Sequence, residues 1–382
     1  MCGRGCGKAS FLHQGSDQTS CCCHNVAIAP NGPGADELQP PGRGPRAAGQ
    51  ITAGCAPVAR PPFTAYEFFA GGGMARAGLG SGWRTAFAND LDPGKAAAYA
   101  LNGEALRLGD VWALEAADLP GRADLAWASS PCQDLSLAGR RLGLEGARSS
   151  AFWGFHRLLQ GLAADGRLPR AVVVENVAGL LTSGGGTDFA ALVAALARLG
   201  YTVGALEIDA ARFTPQSRPR LFVVAAQAAA PGLALAAPEP PFHGARLREA
   251  HARLSADLQA RWAWWRLPTP PARNLVLADL LELDAPWDAS AQTARLMALL
   301  SPLHAARLEL ERVRSRAAPG LRAGTLFRRT RAQDGRRVQR AEVRFDGVAG
   351  CLRTPRGGSS RQVVVAVEDG AVRSRKLTPR EG

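Results

Sequence analysis

The feature that most constrains this chain is a short apolar run, Leu125–Ala128, which stops at Ser129-Ser130-Pro131 and is followed at once by Cys132. Four apolar residues bounded by a turn signal read as a strand buried on both faces. Strands of that kind belong to sheets covered by helices on both sides. A thiol just past the strand's carboxyl end sits where open α/β sheets build their sites. A lone reduced cysteine is more often a small buried hydrophobe, so the flanking sequence has to decide between the two.

The flanks repeat the pattern. Ala65–Phe69 reads as a strand that runs into Gly71-Gly72-Gly73 and then a short helix, Met74–Leu79. Glycines there let the backbone turn sharply and approach a ligand closely. The next strand, Thr85–Ala88, ends in Asn89-Asp90-Leu91-Asp92. An acidic residue at a second strand's tip, about 20 residues after a glycine turn, suits hydrogen bonds to ribose hydroxyls. A helix cap is the competing role for one of these two aspartates. A third acidic tip stands at Gly109-Asp110-Val111, and Ser149 opens an apolar helix through Phe152, Phe155 and Leu159. Ala171–Glu175 is a further buried strand, ending in Glu175-Asn176-Val177. Thr187 and Asp188 start an amphipathic helix with Phe189, Leu192, Val193, Leu196 and Leu199 on one face, stopped by Gly200. Tyr201–Ile208 and Leu221–Ala225 read as strands around a Gln216–Arg220 segment.

The rest of the chain bounds the partners. An apolar content of 46% supports a substantial core, and no run of 18 apolar residues is present. The formal charge of +13 favours a polyanionic partner, and the excess is arginine, since Lys8, Lys95 and Lys376 are the only lysines. Five of the eight cysteines fall within the first 23 residues, without a second pair at structural-zinc spacing, so no metal is expected. With no secretory signal pattern at the start, the chain reads as cytosolic and reduced. Residues 1–62 show neither helical nor strand period and read as a disordered or non-functional extension. Composition shifts near Pro231. From Arg307 to Arg361 fifteen arginines face five acids. They alternate with Phe327, Val338, Val343 and Phe345, as β-ribbons that touch phosphate and base edges would.

Taken in order over roughly 63–382, these segments resemble the DNA (cytosine-5) methyltransferase family, bacterial or phage type. Phe69–Arg76 is similar to its first motif, which holds the methionine end of S-adenosylmethionine. Asp90 matches the acidic residue on the ribose, and Asp110 the one near the adenine amino group. Pro131-Cys132-Gln133 resembles the nucleophile motif, Glu175-Asn176-Val177 the Glu-Asn-Val motif, and Gln216–Arg220 the Gln-x-Arg-x-Arg motif. Arg353–Arg356 with Ser360–Gln362 resembles the ninth motif, and Leu377–Glu381 looks like the opening of a tenth that is cut short. Met74 departs from the pattern, standing where many members carry another glycine.

The resemblance implies a Rossmann-like α/β domain dependent on S-adenosylmethionine, with a smaller, mainly β target-recognition domain. The expected boundaries are 63–230 for the catalytic domain, 231–365 for the recognition domain and 366–382 for an incomplete return segment. It implies Cys132, Glu175, Arg218 and Arg220 as catalytic, with the two arginines fixing the base's O2 or a neighbouring phosphate. Phe69, Ala70, Gly71, Gly73, Asp90, Leu91, Asp110, Val111 and Pro131 are the implied cofactor residues. Gln133, Ser136, Arg140, Arg148, Arg328, Arg329, Arg353, Arg356 and Arg361 are the implied DNA contacts. The partner is then double-stranded DNA, with no membrane. The protein is expected to be a monomer, and any cognate restriction endonuclease would form no stable complex with it. The alternatives are an inactive, truncated DNA-binding remnant and an RNA cytosine-5 methyltransferase. A nicotinamide oxidoreductase shares the glycine turn but leaves Cys132, Glu175 and the paired arginines without a common role.

Overall fold

The computed structural model describes residues 62–102, 105–131, 151–228, 232–333, 335–352 and 362–381. Residues 1–61 lie outside that set, as do Cys132, Gln133, Ser136, Arg140, Arg148, Arg353, Arg356 and Arg361.

The first half of the described chain alternates strand and helix. In order come β1 (Phe63–Phe68), α1 (Met74–Leu79), β2 (Trp83–Asp90), α2 (Pro93–Ala100), β3 (Arg107–Leu108) and β4 (Leu125–Ala128). They are followed by α3 (Ala151–Ala164), β5 (Ala171–Asn176), α4 (Thr187–Arg198), β6 (Thr202–Asp209) and β7 (Pro219–Ala226). The strands form one sheet in the order β3-β2-β1-β4-β5-β7-β6. β3, β2, β1, β4 and β5 run parallel, while β7 lies antiparallel between β5 and β6. Chain length forces that reversal. Only residues 210–218 join β6 to β7, and a parallel crossover needs a dozen or more.

Helix α3 buries Phe152, Phe155, Leu158, Leu159 and Leu162, and α4 buries Phe189, Leu192, Val193 and Leu196. Both stripes recur at helical spacing and share a core with Ala126 and Ala128 of β4 and Val172 and Val174 of β5. The stretch Ala178–Arg198 has the length and composition of a bilayer-spanning helix, with a mean hydropathy of 1.4. Its backbone, however, leaves helical geometry at Ser183, Gly184 and Gly185, and Leu180 and Leu181 join the same core. It is therefore packed into this domain as two pieces.

The tryptophan-rich stretch closes the sheet's open side. An edge strand presents unpaired backbone groups that need cover. The Val203 amide of β6 donates to the Arg261 carbonyl at 3.0 Å, and the Ala263 amide returns a bond to Val203 at 2.9 Å. Trp265 of β9 (Trp264–Trp265), which pairs with β8 (Ala234–Leu235), donates its ring N–H to the Val224 carbonyl at 2.9 Å. A side chain at 204 would place its Cβ 1.9 Å from the Ala263 carbonyl oxygen, so the approach requires Gly204. Helices α5 (Ala245–Ala252) and α6 (Ala256–Ala260) lead into this stretch.

A second, antiparallel sheet follows α7 (Ser290–Met297) and α8 (Pro302–Ala317). It comprises β10 (Arg322–Gln333), β11 (Arg336–Arg344), β12 (Val363–Glu368) and β13 (Ala371–Lys376), in the order β11-β10-β12-β13. Leu308 of α8 packs with Leu326, Val343, Val363, Val365 and Val367 in its core. The arginine-rich stretch is thus not ribbon throughout. Its first part is α8, whose buried stripe is Leu308, Glu311 and Ser315. Ser315 accepts the Gly370 amide at 2.9 Å, and Glu311 pairs with Arg314 at 2.6 Å.

The segment after β13 is held by a buried ion pair. Both nitrogens of the Arg375 fork donate to Glu381, at 2.7 and 2.6 Å, and the two side chains are 3% and 1% exposed. The amides of Glu282 and Thr378 also donate to that carboxylate, and Trp287 stacks on the guanidinium at 5.0 Å. Burial alone would push the Glu381 carboxyl up. The Arg375 and backbone hydrogen bonds and the Arg375 charge outweigh it and bring the value down from 4.5 to about 2. A depressed carboxyl contributes stability that is fully present above its unfolded value and is lost as pH falls through its folded one. Glu381→Gln should therefore be less stable than the wild type by about 3 kcal/mol near neutrality. The gap should close as pH drops from about 4.5 towards 2. Urea unfolding of both proteins across that range checks this, and a gap independent of pH would contradict it.

Candidate active site

The carboxyl ends of β1, β2, β4 and β5 open on one rim. After β1 the chain passes through Phe69 at φ 55, Gly71 at φ 58 and Gly73 at φ 84 before entering α1. An aromatic residue in the left-handed region costs roughly 1–2 kcal/mol, strain of the kind that collects at functional sites. The turn is tied to the next strand. The Ala70 amide donates to the Asn89 carbonyl at 3.0 Å, and the Gly71 amide to Asp90 Oδ2 at 2.9 Å.

The two aspartates at the β2 tip divide the roles left open by the sequence. Asp92 caps α2, accepting the Gly94 and Lys95 amides at 2.8 and 3.3 Å. Asp90 is buried, accepts the Asp92 amide at 2.9 Å, and has Lys95 Nζ at 3.8 Å. Asp110 accepts the Trp112 amide at 3.0 Å and starts a 3-10 turn, Val111–Ala113. Asn89, which the sequence reading left without a role, is buried and donates to the carbonyls of Arg107 and Gly109 at 2.8 and 2.9 Å. It thereby sets the distance between the Asp90 and Asp110 tips. Its signal was an amide side chain at the end of an otherwise apolar strand, where buried polar groups must be paired.

Between these tips lies a cavity of about 720 Å³. Phe69, Asp90, Leu91, Asp110, Val111 and Pro131 line it, together with Trp112, Lys95 and Ser129. Ala70, Gly71 and Gly73 follow Phe69 in the turn but are not among the cavity's lining residues. Behind Gly73 stands Tyr99, whose hydroxyl donates to the buried Glu67 at 3.1 Å.

On the other side of β1 the β4 and β5 tips are joined. Asn176 Nδ2 donates to the Ser130 carbonyl at 3.2 Å and to Ser130 Oγ at 3.1 Å, fixing the turn that leads into Pro131. Glu175 accepts Arg220 Nε at 2.8 Å, with both side chains about four-fifths buried (20% and 17% exposed). Arg218 has different partners. Its Nη1 donates to the Leu352 carbonyl at 3.0 Å and reaches Cys351 Sγ at 3.4 Å. The two arginines grouped by the sequence therefore point at different parts of the molecule.

Of the expected nucleic-acid contacts, Arg328 and Arg329 lie on β10 among the described residues. Arg329 stacks on Phe327 at 4.5 Å and faces Glu342 at 3.3 Å. Arg328 lines a cavity of about 470 Å³ with Arg295 and Lys376. Two acids of this region each serve two arginines, Glu311 pairing with Arg314 and Arg322 and Glu342 with Arg329 and Arg331.

A family model described as C-5 cytosine-specific DNA methylase matches residues 63–275. The chain is 31% identical over 160 residues to the type II methyltransferase M.NgoBI of Neisseria gonorrhoeae, covering 41% of this chain and 49% of that one. Against the type II methyltransferase M.HaeII of Haemophilus aegyptius it is 31% identical over 160 residues, covering 41% and 48%. The chain spans about half the length of the curated relatives it matches. Among solved structures, that of the S. pombe Dnmt2 methyltransferase aligns with a TM-score of 0.43 at 19% identity, over 63% of this chain and 68% of that one.

The glycine turn yields a contrast. Gly73 combines φ 84 with a Tyr99 ring 3.1 Å from where a Cβ would stand, whereas Gly72 would meet only Ala98 at 3.9 Å. Gly73→Ala should cost about 1–3 kcal/mol of stability, and Gly72→Ala less than about 0.5 kcal/mol. Urea titration of both variants decides it, and equal costs would contradict this account of the turn.

Proposed function

Because the chain belongs to the C-5 cytosine-specific DNA methylase family, we propose that it transfers a methyl group from S-adenosylmethionine to C5 of cytosine in double-stranded DNA. The observation that carries the reading is a single rim. On it a cavity with acidic tips stands beside a turn ending at Pro131, with the Glu175–Arg220 pair next to that turn.

The cavity fits the proposed cofactor. Its volume lies in the range of small-molecule sites. Asp90 and Asp110 offer carboxylates where hydroxyl and amino donors of an adenosyl group would need acceptors. Leu91, Val111, Phe69 and Trp112 supply apolar wall for a purine. Gly71 and Gly73 leave room for the backbone to approach the amino-acid end. When bound, S-adenosylmethionine supplies an electrophilic methyl group on a sulfonium.

The protein's own residues do the rest. Cytosine C5 is a poor nucleophile, and addition of a thiolate at C6 converts C5 into an enamine-like carbon. Cys132, one residue beyond the turn that Asn176 holds, is the residue for that addition. A proton shared between the Glu175 carboxyl and ring N3 stabilises the adduct as the electrons of the C5–C6 bond are displaced towards that nitrogen. Arg220 orients that carboxylate through its 2.8 Å contact. Once the C5–methyl bond has formed, loss of the C5 proton restores the double bond, breaks the C6–S bond and returns Cys132 as thiolate. The target atom is inaccessible inside a duplex, so the base must swing out of the stack.

The same reading carries the expected setting. Catalysis belongs to the first sheet together with the 261–265 stretch that covers its β6 edge, and recognition to the second sheet, in which β13 occupies the place expected for a return segment. On this reading the protein is a monomer in the cytoplasm of a prokaryotic cell, chromosomally or phage-encoded, and any cognate endonuclease forms no stable complex with it.

The test is methyl transfer itself. Purified protein, S-adenosylmethionine and duplex DNA should yield 5-methylcytosine in one sequence context, read by bisulfite sequencing. Transfer to transfer RNA alone, or no transfer to either nucleic acid, would overturn the reading.

A further inference from the structure

We propose that Arg218 is a positioning residue. It locks the second sheet in register with the catalytic rim, and its guanidinium does not contact DNA. The inference deepens the methyl-transfer reading and rests on it for one arm of the test only.

The lock is built from two backbone segments. The Ala349 amide donates to the Pro215 carbonyl at 2.7 Å, the Ser217 amide donates to the Ala349 carbonyl at 2.9 Å, and Gln216 and Ala349 form a parallel bridge. Asp209, the last residue of β6, grips the first segment from behind. It accepts the Arg218 amide at 2.6 Å and the Ser217 hydroxyl at 3.3 Å. The Arg218 side chain completes the junction through Leu352 and Cys351. Beyond the second segment, Ala349 packs with Leu277, Leu281 and Val364 of β12, a cluster on the face of the second sheet opposite its Leu308 core, so the contact reaches the sheet directly.

Position in the chain gives the junction its meaning. Two residues after Arg218, Arg220 holds Glu175. One short stretch of β7 and its approach therefore fixes the rim carboxylate at one end and the second sheet at the other. A duplex gripped by the second sheet would thus be presented to Glu175 at a set distance. Both contacts leave from Nη1, one atom further along the side chain than a lysine Nζ reaches, so a lysine keeps the charge but does not bring a donor to the same place. Among the described residues the Arg218 side chain has no carboxylate partner, so a phosphate contact is the competing assignment, and the two roles predict different behaviour.

The experiment compares the full chain with Arg218→Gln, Arg218→Lys and Arg220→Gln. Hydrogen exchange followed by mass spectrometry should show peptides over 214–217 and 347–352 exchanging about tenfold faster in both Arg218 variants. β12, β13 and the Arg220→Gln protein should keep wild-type protection at the junction. Wild-type exchange at the junction in the Arg218 variants would overturn the proposal. Arg218→Lys carries this arm if Arg218→Gln does not fold. In the second arm, duplex affinity is measured from 50 to about 200 mM salt. A positioning residue leaves the slope of log affinity against log salt unchanged. A slope about 0.9 smaller in Arg218→Gln and restored in Arg218→Lys would identify a phosphate contact and overturn the proposal. If the wild type binds no duplex, the methyl-transfer reading fails, while the exchange arm still decides the lock.

Discussion

The structure depends on β1 being paired in parallel on both sides. Phe68 stands level with Asn89 of β2 and with Ala128 of β4, so three strands end at the same height. The chain leaves β1 towards β2 and returns later on its other flank. At such a switch the loops diverge and leave a crevice beyond the carboxyl ends. That crevice is the cavity between Phe69, Asp90 and Pro131. Slippage of β4 by one residue would turn Ala126 and Ala128 away from the core they share with α3 and α4, so register is set by burial. Asn176 then brings the fourth tip into line by holding Ser130.

Charge plays two separate roles in the second sheet. Exposed pairs such as Arg312–Glu309 and Arg373–Glu368 contribute little each, on the order of 0–1 kcal/mol. The Arg375–Glu381 pair is different because it is buried and every oxygen of its carboxylate is engaged. Breaking one partner of such a pair leaves a buried charge without compensation, a loss of roughly 3–5 kcal/mol. The basic excess is therefore partly consumed internally. Arg336 and Arg337, at the start of β11, remain exposed and without an ion pair among the described residues.

What could be read from sequence follows the strength of the local pattern. The limits of α1 and β4 were legible because glycine or Ser-Ser-Pro punctuation cuts off an apolar run. α4 was legible because Phe189, Leu192, Val193 and Leu196 repeat at helical spacing. α8 was not, since its buried stripe holds one leucine, a glutamate and a serine, whose burial depends on partners in Arg314 and Gly370. Trp262, Trp264 and Trp265 fall within the 231–365 stretch, and their cover of β6 is visible only once Gly204 admits the Ala263 carbonyl. At the site, the types Asp90, Asp110, Glu175 and Arg220 were legible because chemistry restricts them. Asn89, Asn176 and the Arg218–Leu352 contact were not, because each joins residues distant in sequence.

The central claim is that Cys132 adds to cytosine beside the Glu175–Arg220 pair. Incubation with S-adenosylmethionine and a duplex carrying 5-fluorocytosine tests it most directly, because fluorine at C5 blocks the loss that releases the thiol. The account predicts a complex stable to denaturant, with the modified base mapped by mass spectrometry to the peptide containing Cys132. No covalent complex on a duplex that the protein methylates when unfluorinated, or an adduct on Cys351 instead, would contradict it.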